Sequence, residues 1–214
     1  MKFLITAGPT REPIDPVRFL SNRSSGRMGY ALAGAAAEEG HRVHLISGPV
    51  SLATPEGVDR EDVTTAADMY EATAGAALRA DVIIMTAAVA DYRPVTAPTE
   101  KIKKSSATMT LELERTRDIL GSLRDPIGFT GFLVGFAAET QNVEVYAREK
   151  LQRKGCDLLV ANDVSQPGIG FDSTENEVCL YFKSGPDQPL PRGPKTDLAR
   201  RIIHTIDDRL TNHS

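Results

Sequence analysis

The chain has little cysteine and histidine and no long hydrophobic run. It contains two cysteines and four histidines in 214 residues. Cys156 and Cys179 lie in or beside apolar segments, where a free cysteine behaves as a small hydrophobic residue, so we expect no disulfide framework. The histidines lack metal-ligand spacing and no Cys/His cluster occurs, which argues against a structural metal. No Gly-x-Ser-x-Gly motif occurs, so a serine hydrolase is also disfavoured.

The chain also lacks an excess of basic residues. Its formal net charge is −4 and its isoelectric point is near 5.6, so we expect neither a nucleic acid nor a membrane surface as partner. No apolar run reaches the roughly 18 residues of a membrane-spanning helix, and the first apolar stretch is too short for a signal peptide. With 41% apolar and 25% charged residues, the sequence predicts one globular domain over residues 1–214, in a reducing cytoplasm.

Short apolar runs alternate with segments of helical character along most of the chain. Because the apolar runs do not alternate strictly with polar residues, they are typical of parallel strands that are buried on both faces. The pattern predicts a Rossmann-like, three-layer α/β fold with a mostly parallel sheet. Strands are predicted at residues 3–6, 43–46, 81–86, 133–136 and 157–161, with a further strand at Val63, and helices at 28–39, 66–78, 143–154 and 195–210.

Two segments interrupt this alternation. Residues 94–115 are first rich in proline and then basic, and we interpret them as a flap with an antiparallel arm. Residues 165–194 are rich in glycine, proline and aspartate around a predicted strand at 177–183.

Ligands of doubly wound sheets bind at the carboxyl ends of the strands, so the residues that follow the strands are the candidates for a site. Ser24 and Gly26 precede the first predicted helix, where free backbone N–H groups can hold a phosphate. The alternative is that they form a simple turn and helix cap. The neighbouring Arg18, Asn22 and Arg23 favour an anion site.

Charged residues follow other predicted strands as well. Asp91 comes after a run of small residues and could accept hydrogen bonds from a ribose, or could be a loop cap paired with Arg93. The basic run at residues 101–104 could be a solvated surface or could supply a lysine on a mobile lid. Lys150 and Lys154 share one face of a predicted helix.

Taken together, these segments resemble the phosphopantothenoylcysteine synthetase family over almost the whole chain, in order. The matching segments are residues 5–10 (ITAGPT), 16–22 (PVRFLSN), 24–29 (SSGRMG), 87–91 (AAVAD), 101–104 (KIKK), 135–140 (GFAAET) and 161–164 (ANDV). In many bacteria this domain is fused to a flavin-dependent decarboxylase. Because this chain begins at its first predicted strand, we expect a stand-alone synthetase or an isolated domain that binds no flavin.

The resemblance implies a ligase of coenzyme A biosynthesis that joins 4'-phosphopantothenate to cysteine through an acyl-nucleotide, with Mg²⁺, as a homodimer. It implies that Lys101 stabilises the charge of the activation step, and that Asn22 holds the intermediate's carbonyl oxygen during attack by cysteine. Arg18 and the backbone of Ala87 and Ala88 would support that second step. The positions implied to bind nucleotide are Gly8, Ser24, Gly26, Met28, Asp91, Lys101, Asp118, Phe136, Lys150 and Lys154.

One segment departs from the family pattern. The family usually has Asn-Pro-Asp before the helix that borders the base, whereas this chain has Thr116, Arg117 and Asp118. We expect CTP as the co-substrate, with ATP as the alternative. A rival interpretation is an NAD(P)-dependent short-chain dehydrogenase, because Tyr146 and Lys150 have the Tyr-x-x-x-Lys spacing of that class, although its serine position is occupied by Leu133. A non-enzymatic nucleotide sensor is a third possibility.

Overall fold

The computed structural model describes residues 1–104, 107–163 and 173–211. Residues 105–106 of the predicted flap, and Val164 with residues 165–172 of the second irregular segment, lie outside the described residues. The strands are β1 (Lys2–Ala7), β2 (Glu12–Pro13), β3 (Phe19–Leu20), β4 (Arg42–Ser47), β5 (Val58–Asp62), β6 (Val82–Met85), β7 (Tyr92–Pro94), β8 (Leu113–Arg115), β9 (Phe132–Glu139), β10 (Leu158–Asp163), β11 (Glu175–Phe182) and β12 (Gln188–Pro194). The helices are α1 (Arg27–Glu38), α2 (Ala66–Ala77), α3 (Ile119–Arg124), α4 (Val143–Lys154) and α5 (Lys195–Thr211).

An eight-stranded sheet in the order β12-β11-β10-β9-β6-β1-β4-β5 forms the centre of the described chain. The strands from β10 to β5 in that order are parallel, whereas β11 is antiparallel to both of its neighbours. Helices α1 and α5 pack on one face and α2, α3 and α4 on the other. The predicted three-layer α/β fold with a mostly parallel sheet is therefore confirmed.

Strand β1 shows why the apolar runs do not alternate. Phe3 and Ile5 contact the core beneath α1 and α5, while Leu4 contacts the core beneath α2 and α3, and all three side chains are buried. A strand that packs against helices on both faces needs apolar residues at every position. The same holds for β6, whose four residues are all buried.

Glycine allows α1 to lie close to the sheet. A Cβ atom at Gly29 would come within 2.5 Å of both the Ala7 Cβ and the Thr86 Oγ1, which is closer than side chains can approach. The first turn of α1 therefore lies directly over the ends of β1 and β6. This contact brings the helix N-terminus to the carboxyl edge of the sheet.

Three elements differ from the sequence-based prediction. The strand expected at Val63 is β5, which ends one residue earlier; its polar sequence VDRED contains no apolar run because it is a largely exposed edge strand. Val63 follows the strand, and its N–H donates to the Ser47 carbonyl oxygen. The second irregular segment contains β12 as well as β11. Among the described residues of the predicted arm, the antiparallel pairing consists of the short strands β7 and β8.

Both cysteines are free thiols, as the sequence indicated. Burial raises the pKa of the Cys156 thiol to about 12, and it raises that of Cys179 as well. At about pH 8 the buried Cys156 should therefore remain protonated and react with a thiol reagent at least about a hundredfold more slowly than an exposed thiol. We expect rapid labelling of both cysteines in guanidinium chloride and slow labelling of Cys156 in the native protein. Mass spectrometry at successive times would measure both rates. Fast native labelling of Cys156 would contradict its burial.

Candidate active site

A cleft of about 850 Å³ lies along the carboxyl edge of the parallel strands. The turn before α1, the loop after β6, the segment before α3 and the end of β9 contribute to it, together with the first turn of α1 and one side of α4. This is the edge at which doubly wound folds bind ligands. The predicted site residues that line the cleft are Asn22, Ser24, Gly26, Met28, Ala87, Ala88, Asp91, Asp118, Phe136, Lys150 and Lys154.

The N-terminus of α1 opens into this cleft. Gly26 is the residue before the helix, with a φ of 75°, and as a glycine it has no side chain with which to cap the first turn. Because a left-handed conformation is strained for most residues, glycine suits this position. Gly8 supports the turn from below: it too has a positive φ, and its carbonyl oxygen accepts a 2.9 Å hydrogen bond from the Ala88 N–H. A helix start with its positive dipole end facing the cleft can hold a phosphate.

Asn22 lies beside this turn, and both the nitrogen and the oxygen of its side-chain amide form hydrogen bonds. Its Nδ2 donates to the Ala88 carbonyl oxygen, and its Oδ1 accepts from the Ser24 N–H at 3.0 Å. These contacts fix the amide plane between the turn before α1 and the loop after β6. An Asn Nδ2 carries two hydrogens, so one donor remains for a ligand in the cleft.

Lys150 and Lys154 reach the cleft from α4. The Lys150 Nζ donates to the Phe136 carbonyl oxygen at 2.7 Å, and burial lowers the pKa of this lysine. Lys154 forms an ion pair with Asp118, whose other oxygen accepts from the Gly121 N–H at 2.9 Å and so caps α3. Burial would raise the pKa of Asp118, but the contacts with Lys154 and Gly121 outweigh it and lower the pKa.

Asp91 lines the cleft and does not serve as the partner of Arg93. The Arg93 guanidinium instead pairs with Glu114 across the β7–β8 arm, with a nitrogen–oxygen distance of 2.7 Å. The backbone carbonyl of Asp91 accepts from the Thr116 N–H, which fastens the loop to the end of the arm. The interpretation of Asp91 as an arginine-paired loop cap is therefore wrong, and its carboxylate is exposed at the cleft.

Arg18 and Lys101 are predicted catalytic residues that do not line the described cleft, and Gly8 is also absent from its lining. The Arg18 guanidinium binds Asp15 and donates to the Ile102 carbonyl oxygen at 3.1 Å, so Arg18 and the basic run at residues 101–104 are neighbours. The structure thus brings two predicted catalytic cations together, but beside the cleft.

Comparison with known proteins shows the family of the chain. A family model for the DNA/pantothenate metabolism flavoprotein C-terminal domain (DFP) matches residues 1–210. The chain belongs to the DFP family. It is 52% identical over 204 residues to the coenzyme A biosynthesis bifunctional protein CoaBC of Bacillus subtilis. The aligned residues make up 95% of this chain and 50% of the relative. The protein of the same name from Vibrio vulnificus is 51% identical over 205 residues, covering 95% of this chain and 51% of the relative.

A solved structure extends this likeness to the fold of the DFP family. The crystal structure of the C-terminal domain of a coenzyme A biosynthesis bifunctional protein CoaBC has a TM-score of 0.84 and 44% identity, covering 99% of this chain and 96% of that one. The chain spans about half the length of the curated relatives it matches. The resemblance seen in the sequence motifs is thereby confirmed.

The interpretation of the chain as a short-chain dehydrogenase is wrong. The DFP match assigns the chain to a different family. Tyr146 lines a neighbouring surface depression on α4, which Lys150 also lines, and Tyr146 is absent from the described cleft lining. The Tyr-x-x-x-Lys spacing therefore does not indicate a dehydrogenase site in this cleft.

Sequence reasoning missed the polar residues that enter the cleft from the last strands. Asn176 and Lys195 are buried and line the cleft, and Asn176 Oδ1 accepts from Asn162 Nδ2 at 3.3 Å. Asn176 reaches it because β11 runs antiparallel, so its first residues lie at the carboxyl edge of the other strands, and Lys195 reaches it because β12 ends at that same edge. The sequence does not show these strand directions. Arg115, Arg117 and Arg153 also line the cleft and were not predicted.

The described ranges contain no group of three or more His, Cys, Asp or Glu side chains that could hold a metal ion. They also contain no helix that is long and apolar enough to cross a membrane.

Proposed function

We propose that this DFP-family chain is a phosphopantothenate–cysteine ligase that uses CTP as its co-substrate. The family match and the role of its relatives in coenzyme A biosynthesis support this proposal. The observation that carries it is the adjacency of two features: the N-terminus of α1, which begins after Gly26, and the Asn22 amide bonded to Ala88. The first can bind a phosphate group and the second can donate to a carbonyl oxygen next to that phosphate.

In the proposed activation step, the phosphopantothenate carboxylate attacks the α-phosphorus of CTP and pyrophosphate leaves. The α1 N-terminus and the lysines of α4 supply positive potential for the phosphates, and Phe136 offers a ring on which the base can stack. Asp91 accepts hydrogen bonds from the ribose. Lys101 stabilises the charge that accumulates on the phosphorus, which requires its long side chain to reach over the cleft from the segment at residues 101–104.

In the proposed second step, the amine of cysteine attacks the acyl carbon and CMP leaves. Negative charge then develops on the carbonyl oxygen, where the free N–H of Asn22 can donate. The backbone of Ala87 and Ala88 lines the same part of the cleft and limits where the acyl group can lie. Arg18 assists this step through its positive charge.

Magnesium fits the cleft as part of a metal–nucleotide complex. Mg²⁺ is usually held by one or two carboxylates together with phosphate oxygens and water, so a dedicated protein cage is unnecessary. Glu139 lines the cleft and could supply such a carboxylate. The ion would neutralise phosphate charge and orient the leaving pyrophosphate.

We further propose that the chain forms a homodimer through the arm. Large apolar side chains are exposed on β3, β7, β8 and the segments next to them, and β2 and β7 are in contact, which places the two small sheets side by side. The exposed residues are Val17, Phe19, Tyr92, Val95, Met109 and Leu113. A second copy of the chain would cover this apolar surface, as expected for a dimer interface.

The choice of nucleotide can be tested directly. If CTP is the preferred co-substrate, it should support amide formation with a kcat/KM at least about tenfold above that of ATP, or about 1.4 kcal/mol of discrimination. The measurement is amide formation at varied CTP and ATP. Equal values for the two nucleotides would reject CTP as the preferred co-substrate.

Isothermal titration with CTP, ATP and NADPH provides the broader test of the proposed function. We expect heat with CTP and none with NADPH. Nucleotide binding without pyrophosphate release or amide formation would instead favour a nucleotide sensor.

A further inference from the structure

Asp15 is a buried carboxylate with an unusually complete set of donors. Its side chain has no exposed surface. Its Oδ1 accepts from the backbone N–H of Val17 at 2.9 Å and of Arg18 at 2.8 Å. Its Oδ2 accepts from the Arg18 side chain, with Nε at 3.0 Å and Nη2 at 2.5 Å, and from the Ile102 N–H at 3.1 Å.

The two oxygens therefore do different things. Oδ1 closes a local turn between neighbours in sequence, which many aspartates do. Oδ2 joins this turn to a segment 87 residues away in the chain. The Arg18 Nη2 completes the contact by donating to the Ile102 carbonyl oxygen. Both backbone polar groups of Ile102 are thus held by one ion pair.

We propose that Asp15 is a positioning residue that fixes Arg18 and the segment at residues 101–104 relative to each other, so that Lys101 is presented correctly for the activation step. Lys101 and Lys103 flank Ile102 and are exposed, so the hold on Ile102 constrains two cations whose own side chains remain available. Fixing the backbone next to a catalytic cation lowers the entropy lost when that cation engages the substrate. The catalytic part of the proposal rests on the proposed ligase function.

Charge explains why the hold persists at neutral pH. The hydrogen bonds from Arg18 outweigh the effect of burial and, with the N–H groups of Val17, Ile102 and Arg18, hold the pKa of Asp15 well below its usual range. The carboxylate is therefore ionised at pH values where enzymes of metabolism work, and the ion pair with Arg18 is retained.

The substitution Asp15→Asn tests the contacts of the two oxygens separately. An asparagine can still accept the Val17 and Arg18 N–H groups through its one oxygen, but its NH₂ group cannot accept from Ile102 or Arg18. The turn should survive and the contact with Ile102 should be lost. Asp62→Asn is the matched control, because it removes an exposed Asp–Arg pair on β5 that has no contact with Ile102.

Hydrogen exchange and proteolysis test the contact without reference to activity. In Asp15→Asn we expect the Ile102 amide to exchange about tenfold faster or more, while the Val17 and Arg18 amides remain protected. Trypsin cleavage after Lys101 and Lys103 should accelerate similarly, and Asp62→Asn should behave as the wild type. Unchanged exchange at Ile102, or equal loss of protection at Val17 and Arg18, would overturn the proposal.

Steady-state kinetics test the consequence for catalysis. We expect Asp15→Asn to lower the kcat for pyrophosphate release about tenfold or more while the KM for CTP changes little, because the proposed nucleotide-binding residues are untouched. An increase in kcat, or an effect confined to KM, would contradict a positioning role. If the wild-type chain itself releases no pyrophosphate, the proposed function fails, whereas the exchange and proteolysis results still decide whether Asp15 holds Ile102.

Discussion

Replacing Lys101 with glutamine is expected to abolish pyrophosphate release from CTP and phosphopantothenate. A lysine that neutralises charge at the reacting phosphorus acts in the transition state, and loss of such a group typically lowers the rate by at least about a hundredfold. Lys101 is exposed and lies next to Ile102, which is held by Asp15 and Arg18. The neutral side chain should therefore remove the charge without removing the anchor of the segment.

Lys104→Gln is the matched control for this prediction. It makes the same change of charge in the same basic run, three residues further along the chain. We expect it to retain most of the activity. A folded Lys101→Gln protein with undiminished pyrophosphate release would show that Lys101 has no role in activation, and equal losses in both variants would point to the net charge of the run instead.

Asn22→Asp should divide the reaction into its two halves. The acyl-cytidylate should still form and accumulate, whereas amide formation with cysteine should fall by about a hundred- to a thousandfold, as when one oxyanion donor is removed. The aspartate can keep the bond from the Ser24 N–H, but its second oxygen would face the Ala88 carbonyl in place of a donor. It would also repel the negative charge that develops on the acyl oxygen.

Mass spectrometry of quenched reactions would detect the accumulated intermediate, and product assays would give the rate of amide formation. Asn142→Asp is a suitable control, because it makes the same chemical change outside the described cleft lining, at a residue with a φ of 49° that aspartate tolerates. A folded Asn22→Asp protein that forms no acyl-cytidylate would assign Asn22 to phosphate or substrate binding instead.

The central strands and long helices could be predicted because their residues are buried in a regular pattern. Strand β6 is apolar throughout, and α4 begins and ends where the sequence predicted. Strands at the edges of the sheet could not be found in this way. Strand β12 contains Pro189, Pro191 and Pro194, which normally argue against a strand but are tolerated at an edge where no partner needs the missing N–H.

The candidate site was predictable where motif and geometry coincide. Residues that directly follow parallel strands, such as Ala87 and Ala88, line the cleft as expected. The places of Asp15 and Lys195 could not be inferred, since one depends on a contact between distant segments and the other on the edge at which β12 ends. Individual residue types do not encode such long-range contacts, so they become visible only when the fold is known.

The parallel order of the sheet separates the start of the chain from the cleft. Lys2 opens β1 at the amino edge of the strands, and this six-residue strand ends at Ala7 beside the cleft. At about 3.3 Å per residue, this places the N-terminal amine roughly 20 Å from the site. A fluorophore or an immobilising tag attached ahead of Met1 should therefore leave substrate access unhindered, which makes that end the natural attachment point for surface-based binding measurements.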